Sequence, residues 1–291
     1  MSNLLNGKDV SAKILARVAE QTRAHLAAGG AVPTLAVILV GEDPASQIYV
    51  RNKHRTCEAM GFRSLEYTLP ADAGQAALLA RIEALNADAS VHGILCQMPL
   101  PKGFDYDDAA VQQAVLPGKD VDVFHPMNAG YLSLGTPRFL PGTPAGVMEL
   151  LADAGIPLAG KHVVVLGRSN IVGKPMALLA LMADATVTIC HSKTQNLGEI
   201  TRQADILIAA VGRPRFVTAD MVKEGAVVID VGVNRLEGKK VCGDVDFDAV
   251  APKASWITPV PGGCGPMTIA MLMQNTLKAA TALGALAAEG Q

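Results

Sequence analysis

Tyr49 and Lys53 stand four residues apart in the stretch GEDPASQIYVRNK, a spacing that puts a phenol and an amine on one face of a helix. Asp43 suits the N-cap, Pro44 the first helical position and Gly61 the C-terminal stop, so a helix over 44–60 is expected. One turn rises about 5.4 Å, short enough for both groups to meet one small molecule. A phenol can stack on a flat heterocycle. A lysine partly withdrawn from water holds its proton less tightly and becomes competent for acid–base work. The same spacing also fits a buried aromatic beside a solvated lysine.

Two further polar positions follow apolar runs. Gln97 ends the strand-like run Val91–Cys96, and ligands of parallel sheets gather beyond the carboxyl ends of strands. It suits the orientation of an amine or a ring amide, or the satisfaction of loop backbone. In Lys119-Asp120-Val121-Asp122, after the turn Pro117-Gly118, a carboxylate is available to an amino-substituted ring, or to a turn cap. No metal site is expected: the five cysteines form no CxxC pair and the six histidines no HExxH spacing.

The third signal is HVVVLGRSNIVGKP, residues 162–175, a buried strand running into a glycine turn and then a helix. Gly167 permits the turn, and the helix start offers donors to an anion. Ser169 replaces the middle glycine of GxGxxG, and Gly173 falls one position late. The next strand ends in His191-Ser192-Lys193-Thr194 without the acid that usually binds ribose hydroxyls of NAD. Arg168, Ser192 and Lys193 offer donors to a 2′-phosphate instead, which favours NADP.

These positions need a scaffold, and the apolar runs supply an α/β one. Short β-branched runs at 34–40, 64–69 and 91–96 alternate with helical segments at 9–28, 44–60 and 74–86. A Pro/Gly-rich stretch over 99–144 reads as loops, short helices and a domain junction. A second series follows: a helix at 144–154, strands at 162–166, 186–190, 206–209 and 226–231, and a long helix over 266–287. The 291 residues are half hydrophobic, with 25 basic and 27 acidic side chains and a formal charge of −2. Such a balance disfavours nucleic acid as a partner. No run suggests a lipid-spanning helix or signal peptide, and the unpaired cysteines suit the cytoplasm.

Taken together, VILVGEDPASQIYVRNK, GILCQMPLP, PGKDVDVFHPMNAG, GRSNIVGKPMALLA, GDVDF and TPVPGGCGPMT, spread over 37–268, resemble the bifunctional methylenetetrahydrofolate dehydrogenase/methenyltetrahydrofolate cyclohydrolase family. The resemblance implies two α/β domains around a cleft, the second Rossmann-like: 1–139 for folate and catalysis, 140–267 for NADP, and 268–291 as a helix returning to the first domain. It implies NADP-linked oxidation of 5,10-methylenetetrahydrofolate, hydrolysis of the methenyl product to 10-formyltetrahydrofolate, and a homodimer. By the same match Lys53 is the catalytic lysine, Tyr49 stacks on folate and Gln97 tunes the lysine. Asp120 binds the pterin ring, and Gly262 and Gly263 line the folate site. Gly167, Arg168, Ser169, Ser192 and Val233 form the cofactor set. A monofunctional relative, or a non-enzymatic NADP-binding regulator, remains open on these residues. Three positions depart from the family pattern: Cys264 stands for Val, Val123 for Gly and Gly142 for Cys. Cys264 adds an expected sensitivity to oxidation or alkylation.

Overall fold

The computed structural model describes residues 3–236 and 240–289. The chain forms two units, one of Met1–Lys13 with Pro141–Met271, the other of Ile14–Leu140 with Leu272–Gln291.

The chain starts in a short strand, β1 (Asn3–Leu4), and a helix, α1 (Gly7–Ala27), that continues from the first unit into the second. The second unit is then built from β2 (Thr34–Val40), α2 (Pro44–Ala59), β3 (Arg63–Leu69), α3 (Gly74–Ala87), β4 (Gly93–Cys96), α4 (Asp108–Ala114) and α5 (Pro126–Ser133). Its sheet has three parallel strands in the order β3-β2-β4. Every residue of β2 is buried, as expected for a central parallel strand covered on both faces. Ala36, Ile38 and Val40 face one core together with Leu78, Ile82 and Leu85 of α3 and Val111 of α4. Both α4 and α5 lie inside the Pro/Gly-rich stretch, each started by a side-chain cap, Asp107 and His125 respectively.

The first unit continues with α6 (Gly142–Asp153), β5 (His162–Leu166), α7 (Gly173–Met182), β6 (Thr186–Cys190), α8 (Leu197–Thr201), β7 (Ile206–Ala209), β8 (Val227–Asp230), β9 (Asn234–Arg235), β10 (Val241–Cys242), α9 (Phe247–Val250), β11 (Trp256–Ile257) and α10 (Cys264–Glu289). Its six strands run in the order β1-β11-β8-β7-β5-β6, all pairs parallel. This is a Rossmann-like sheet, with the order reversing beside β5.

The unit boundaries differ from the expected 1–139, 140–267 and 268–291. Residues 1–13 belong with the six-stranded sheet because β1 extends it: Asn3 N–H donates to Ser255 O and Leu5 N–H to Ile257 O, both at 2.9 Å. The last helix starts at Cys264, and from Leu272 it belongs to the three-stranded unit. There Asn275 donates to Val121 O and Leu140 O, each at 2.8 Å. Residues 290–291 of the expected C-terminal segment lie outside the described residues.

Candidate active site

Helix α2 carries the lysine in an unusual place. Asp43 accepts from Ser46 N–H at 2.8 Å, and Pro44 occupies the first turn, which fixes the start and rotation of the helix. Ser46, Val50, Lys53 and Cys57 then fall on one buried stripe at helical spacing. Lys53 is 8% exposed, in a position where an apolar residue belongs. Tyr49, on the neighbouring line of the helix, is 43% exposed and presents its ring to the surface.

Lys53 Nζ donates to Gln97 Oε1 at 2.9 Å. Gln97 Nε2 donates to Met98 O at 2.8 Å, so the amide has its oxygen turned to the amine. Gln97 N–H donates to Ile38 O, which anchors the residue at the carboxyl end of β4. Burial lowers the proton affinity of Lys53, and the nearby Asp122 and Cys57 raise it by smaller amounts. Burial pushes Asp122 the other way, upward, against the opposing charge of Lys53 and with the help of Asp120. The amine and the carboxyl are thereby drawn toward each other in proton affinity, the arrangement a proton-transfer site needs.

The two acids of the DVD stretch have different surroundings. Asp120, 4% exposed, accepts from Phe124 N–H at 3.2 Å, His125 N–H at 2.9 Å and Asn128 Nδ2 at 2.8 Å. Its carboxylate closes the loop that leads into α5. Among the described residues nothing donates a hydrogen bond to Asp122, which lines a small recess with Cys96, Met98 and Phe124. Asp120, which lines the same recess, thus already accepts three hydrogen bonds from the chain, while Asp122 is the acid whose charge acts on Lys53. Their spacing offered no means of choosing between them.

The dinucleotide features converge in the other unit. Gly167, Arg168, Ser169, His191, Ser192, Val211, Arg213 and Phe216 line a pocket of about 420 Å³ beyond the carboxyl ends of β5, β6 and β7. Gly167 has φ +117°, and a Cβ there would stand 2.2 Å from Ala210 O. Ser169 Oγ accepts from Val172 N–H at 3.1 Å and Gly173 N–H at 3.3 Å. The serine that replaces the middle glycine thus caps α7 and takes up part of its anion-binding capacity. A tight turn after β6, with His191 N–H donating to Thr194 Oγ1 at 2.9 Å, leaves Ser192 and Lys193 exposed. These donors fit a phosphorylated dinucleotide: glycine backbone for close approach, and Arg168, Ser192 and Lys193 for the extra phosphate. Val233, 52% exposed, is absent from the lining of this pocket.

Gly262 and Gly263 belong to the six-stranded unit, in the turn that opens α10. Gly262 has φ +110°, and a Cβ at Gly263 would stand 2.7 Å from Pro259 O. Of the three departures, Val123 adopts φ +66°, the conformation for which glycine is suited. A Cβ at Gly142 would meet Thr268 O at 3.4 Å, an ordinary contact, so nothing local demands glycine there. Cys264 is 5% exposed and its thiol is pushed up to about 12 by burial, with the charge of Asp230 adding to this. Such a thiol is protected, contrary to the expected sensitivity.

The catalytic-domain model of tetrahydrofolate dehydrogenase/cyclohydrolase matches residues 5–122, and the NAD(P)-binding-domain model matches residues 141–283. The bifunctional protein FolD 3 of Ectopseudomonas mendocina is 60% identical over 280 residues, covering 95% of this chain and 90% of that one. The crystal structure of the bifunctional FolD enzyme of Campylobacter jejuni aligns with TM-score 0.93 at 52% identity, covering 97% of this chain and 99% of the other. The Trypanosoma brucei enzyme, solved with NADP and an inhibitor, aligns with TM-score 0.91 at 38% identity over 97% and 98% of the two chains. The chain belongs to the tetrahydrofolate dehydrogenase/cyclohydrolase family.

Proposed function

We infer that the chain is a bifunctional enzyme, oxidising 5,10-methylenetetrahydrofolate to the methenyl form with NADP and hydrolysing that product to 10-formyltetrahydrofolate. The observation that carries this reading is Lys53: an amine on the buried stripe of α2, held at 2.9 Å by Gln97 and electrostatically matched to Asp122.

The methylene carbon of the substrate lies between two nitrogens. Their lone pairs stabilise the cation left by hydride loss, so no side-chain nucleophile is required. NADP, when bound, supplies the hydride acceptor. Gly167 and Ser169 take its pyrophosphate side, and Arg168 and Ser192 its 2′-phosphate. Tyr49 stacks on the folate ring, and Asp122 accepts hydrogen bonds from its amino-substituted edge. In the hydrolytic step Lys53 Nζ takes a proton from the attacking water and returns one as the ring opens. Gln97 Oε1 keeps Nζ aimed throughout.

The protein acts as a homodimer in this reading. Support comes from the free side of β6, which pairs only with β5 among the described residues. Ile189 on that strand and Leu181 and Met182 on α7 are all large and exposed. The compartment is the cytoplasm, in keeping with five free thiols.

Separate assays test the two activities. The purified protein forms NADPH only when NADP and methylenetetrahydrofolate are both present, and hydrolyses preformed methenyltetrahydrofolate without cofactor. Equal efficiency with NAD would overturn the NADP preference, and activity in one assay alone would leave a monofunctional enzyme. Sedimentation velocity reads the dimer directly.

A further inference from the structure

The wall of the dinucleotide pocket farthest along the sheet from β6 is formed by the turn Val211-Gly212-Arg213 and by Phe216, which follow β7. The turn is held from beneath. Asp244, with no exposed surface, accepts from Val211 N–H at 2.6 Å, Gly212 N–H at 2.8 Å, Arg213 N–H at 2.9 Å and Asn234 Nδ2 at 2.8 Å. The backbone of Arg213 is therefore fixed, although its side chain is exposed. Its guanidinium lies 4.6 Å from the centroid of the Phe216 ring. Phe216 packs in turn against the buried core of the unit. Among the described residues no carboxylate pairs with this guanidinium.

In a Rossmann sheet the pyrophosphate sits at the turn after the first strand, here β5, and the adenosine ribose at the end of the next, here β6. The adenine then falls in the crevice between the loops that follow β6 and β7. In this chain that crevice is bounded by Leu197 and Val211, apolar, and by the Arg213–Phe216 pair. A guanidinium already resting on an aromatic ring has its second flat face free for another π-system, and adenine is one.

We propose that Arg213, presented by Phe216 and by the Asp244-held turn, is the residue that covers the adenine ring of the dinucleotide. The contact is to the base, so it serves NADP and NAD alike and is separate from the 2′-phosphate recognition assigned to Arg168 and Ser192. It rests on the dinucleotide reading above.

Calorimetric titration of the full-length protein with NADP, NAD and nicotinamide mononucleotide tests it. Arg213→Ala is expected to weaken NADP and NAD by the same factor, roughly tenfold. The mononucleotide, which lacks adenine, should bind unchanged. Arg213→Lys keeps the charge but loses the flat face, and most of the loss should persist. Arg168→Ala serves as the contrast, weakening NADP far more than NAD. Loss confined to NADP in Arg213→Ala would make the residue a phosphate partner and overturn the proposal, as would full affinity for both dinucleotides. A wild-type protein that binds no dinucleotide would refute the cofactor reading itself, a separate outcome. Arg213 is a surface side chain, and matching thermal melts of the variants confirm that the fold is unaltered.

Discussion

At the scale of single residues, burial decides function. Replacing Lys53 by Met keeps length and helix propensity but removes the amine. Methenyl hydrolysis should fall about 10²–10⁴-fold while NADP affinity changes little; a folded variant hydrolysing at the wild-type rate would reject the assignment. The same substitution alters the pH dependence of stability. Because burial depresses the folded-state pKa of Lys53 below 10.5, the unfolded chain binds the extra proton between those two values. Wild-type stability therefore gains as pH rises through that window, and denaturant melts of Lys53→Met should lack the gain. The two acids separate in the opposite sense. Asp120→Asn puts an amide donor against backbone donors at Phe124 or His125 and should cost about 2–3 kcal/mol of stability. Asp122→Asn breaks no internal hydrogen bond, so urea titration should show little loss while both activities drop at least tenfold. Sequence made the Tyr49–Lys53 face legible. It did not show that Lys53 occupies the core stripe, because a helix pattern reveals its buried side only once partners are known. Nor could two acids two residues apart be distinguished before the loop closed around one of them. Val123 adds strain nearby: its left-handed φ of +66° costs about 1–3 kcal/mol, comparable with the gain from burying its side chain. Val123→Gly should accordingly shift stability by no more than about 1 kcal/mol in chemical denaturation.

Among elements, the strands of four or more residues were legible and the two-residue ones were not. Val163–Leu166 of β5, Thr186–Cys190 and Ile206–Ala209 are continuous apolar or β-branched runs that announce themselves. By contrast β1, β9, β10 and β11 have two residues each, too few to carry any periodicity. β1 and β11 exist because distant partners recruit them, β11 lying between β1 and β8, whereas β9 and β10 pair only with each other among the described residues. The loops after β7 and β8 are likewise ordered by side chains distant in sequence. Asp230 accepts from Gly232 N–H, Asp244 N–H and Val245 N–H, each at 2.9 Å, and thereby sets the position of Asp244. Asp244 in turn holds the Val211–Arg213 turn. Two buried carboxylates thus brace one rim of the cofactor pocket. Asp244→Asn presents an amide to at least one backbone donor and should destabilise the protein by about 2–4 kcal/mol. It should also raise the dissociation constant for NADP under conditions where circular dichroism shows the chain still folded. Undiminished NADP affinity in the folded variant would mean that the rim holds its shape without this carboxylate.

For the molecule as a whole, the cysteines offer a readout of global packing. A thiol reacts as its thiolate, and both burial and raised proton affinity suppress that form. Burial pushes the thiols of Cys57, Cys96 and Cys264 up to about 12, and Cys190 is also raised by burial. They come from both units: Cys57 and Cys96 from the three-stranded one, Cys190 and Cys264 from the six-stranded one. At pH near 8 a thiol with a pKa of about 12 is a thiolate only ~10⁻⁴ of the time, against roughly a quarter for a free cysteine. Cys242, on the short β9–β10 ribbon, is partly exposed, as is Cys96, whose thiolate is suppressed by burial. An aromatic disulfide reagent should therefore label the native protein rapidly at Cys242, while the other four thiols react at the rate at which their unit opens. Sub-denaturing urea then reports which unit opens first: Cys57 and Cys96 labelling ahead of Cys190 and Cys264 would assign lower stability to the three-stranded unit, and the reverse order to the other. Simultaneous labelling of all four would show that the two units unfold as one cooperative body. Fast labelling of Cys264 in the native protein would contradict its enclosure and restore the sensitivity that its place in the glycine-rich turn suggests.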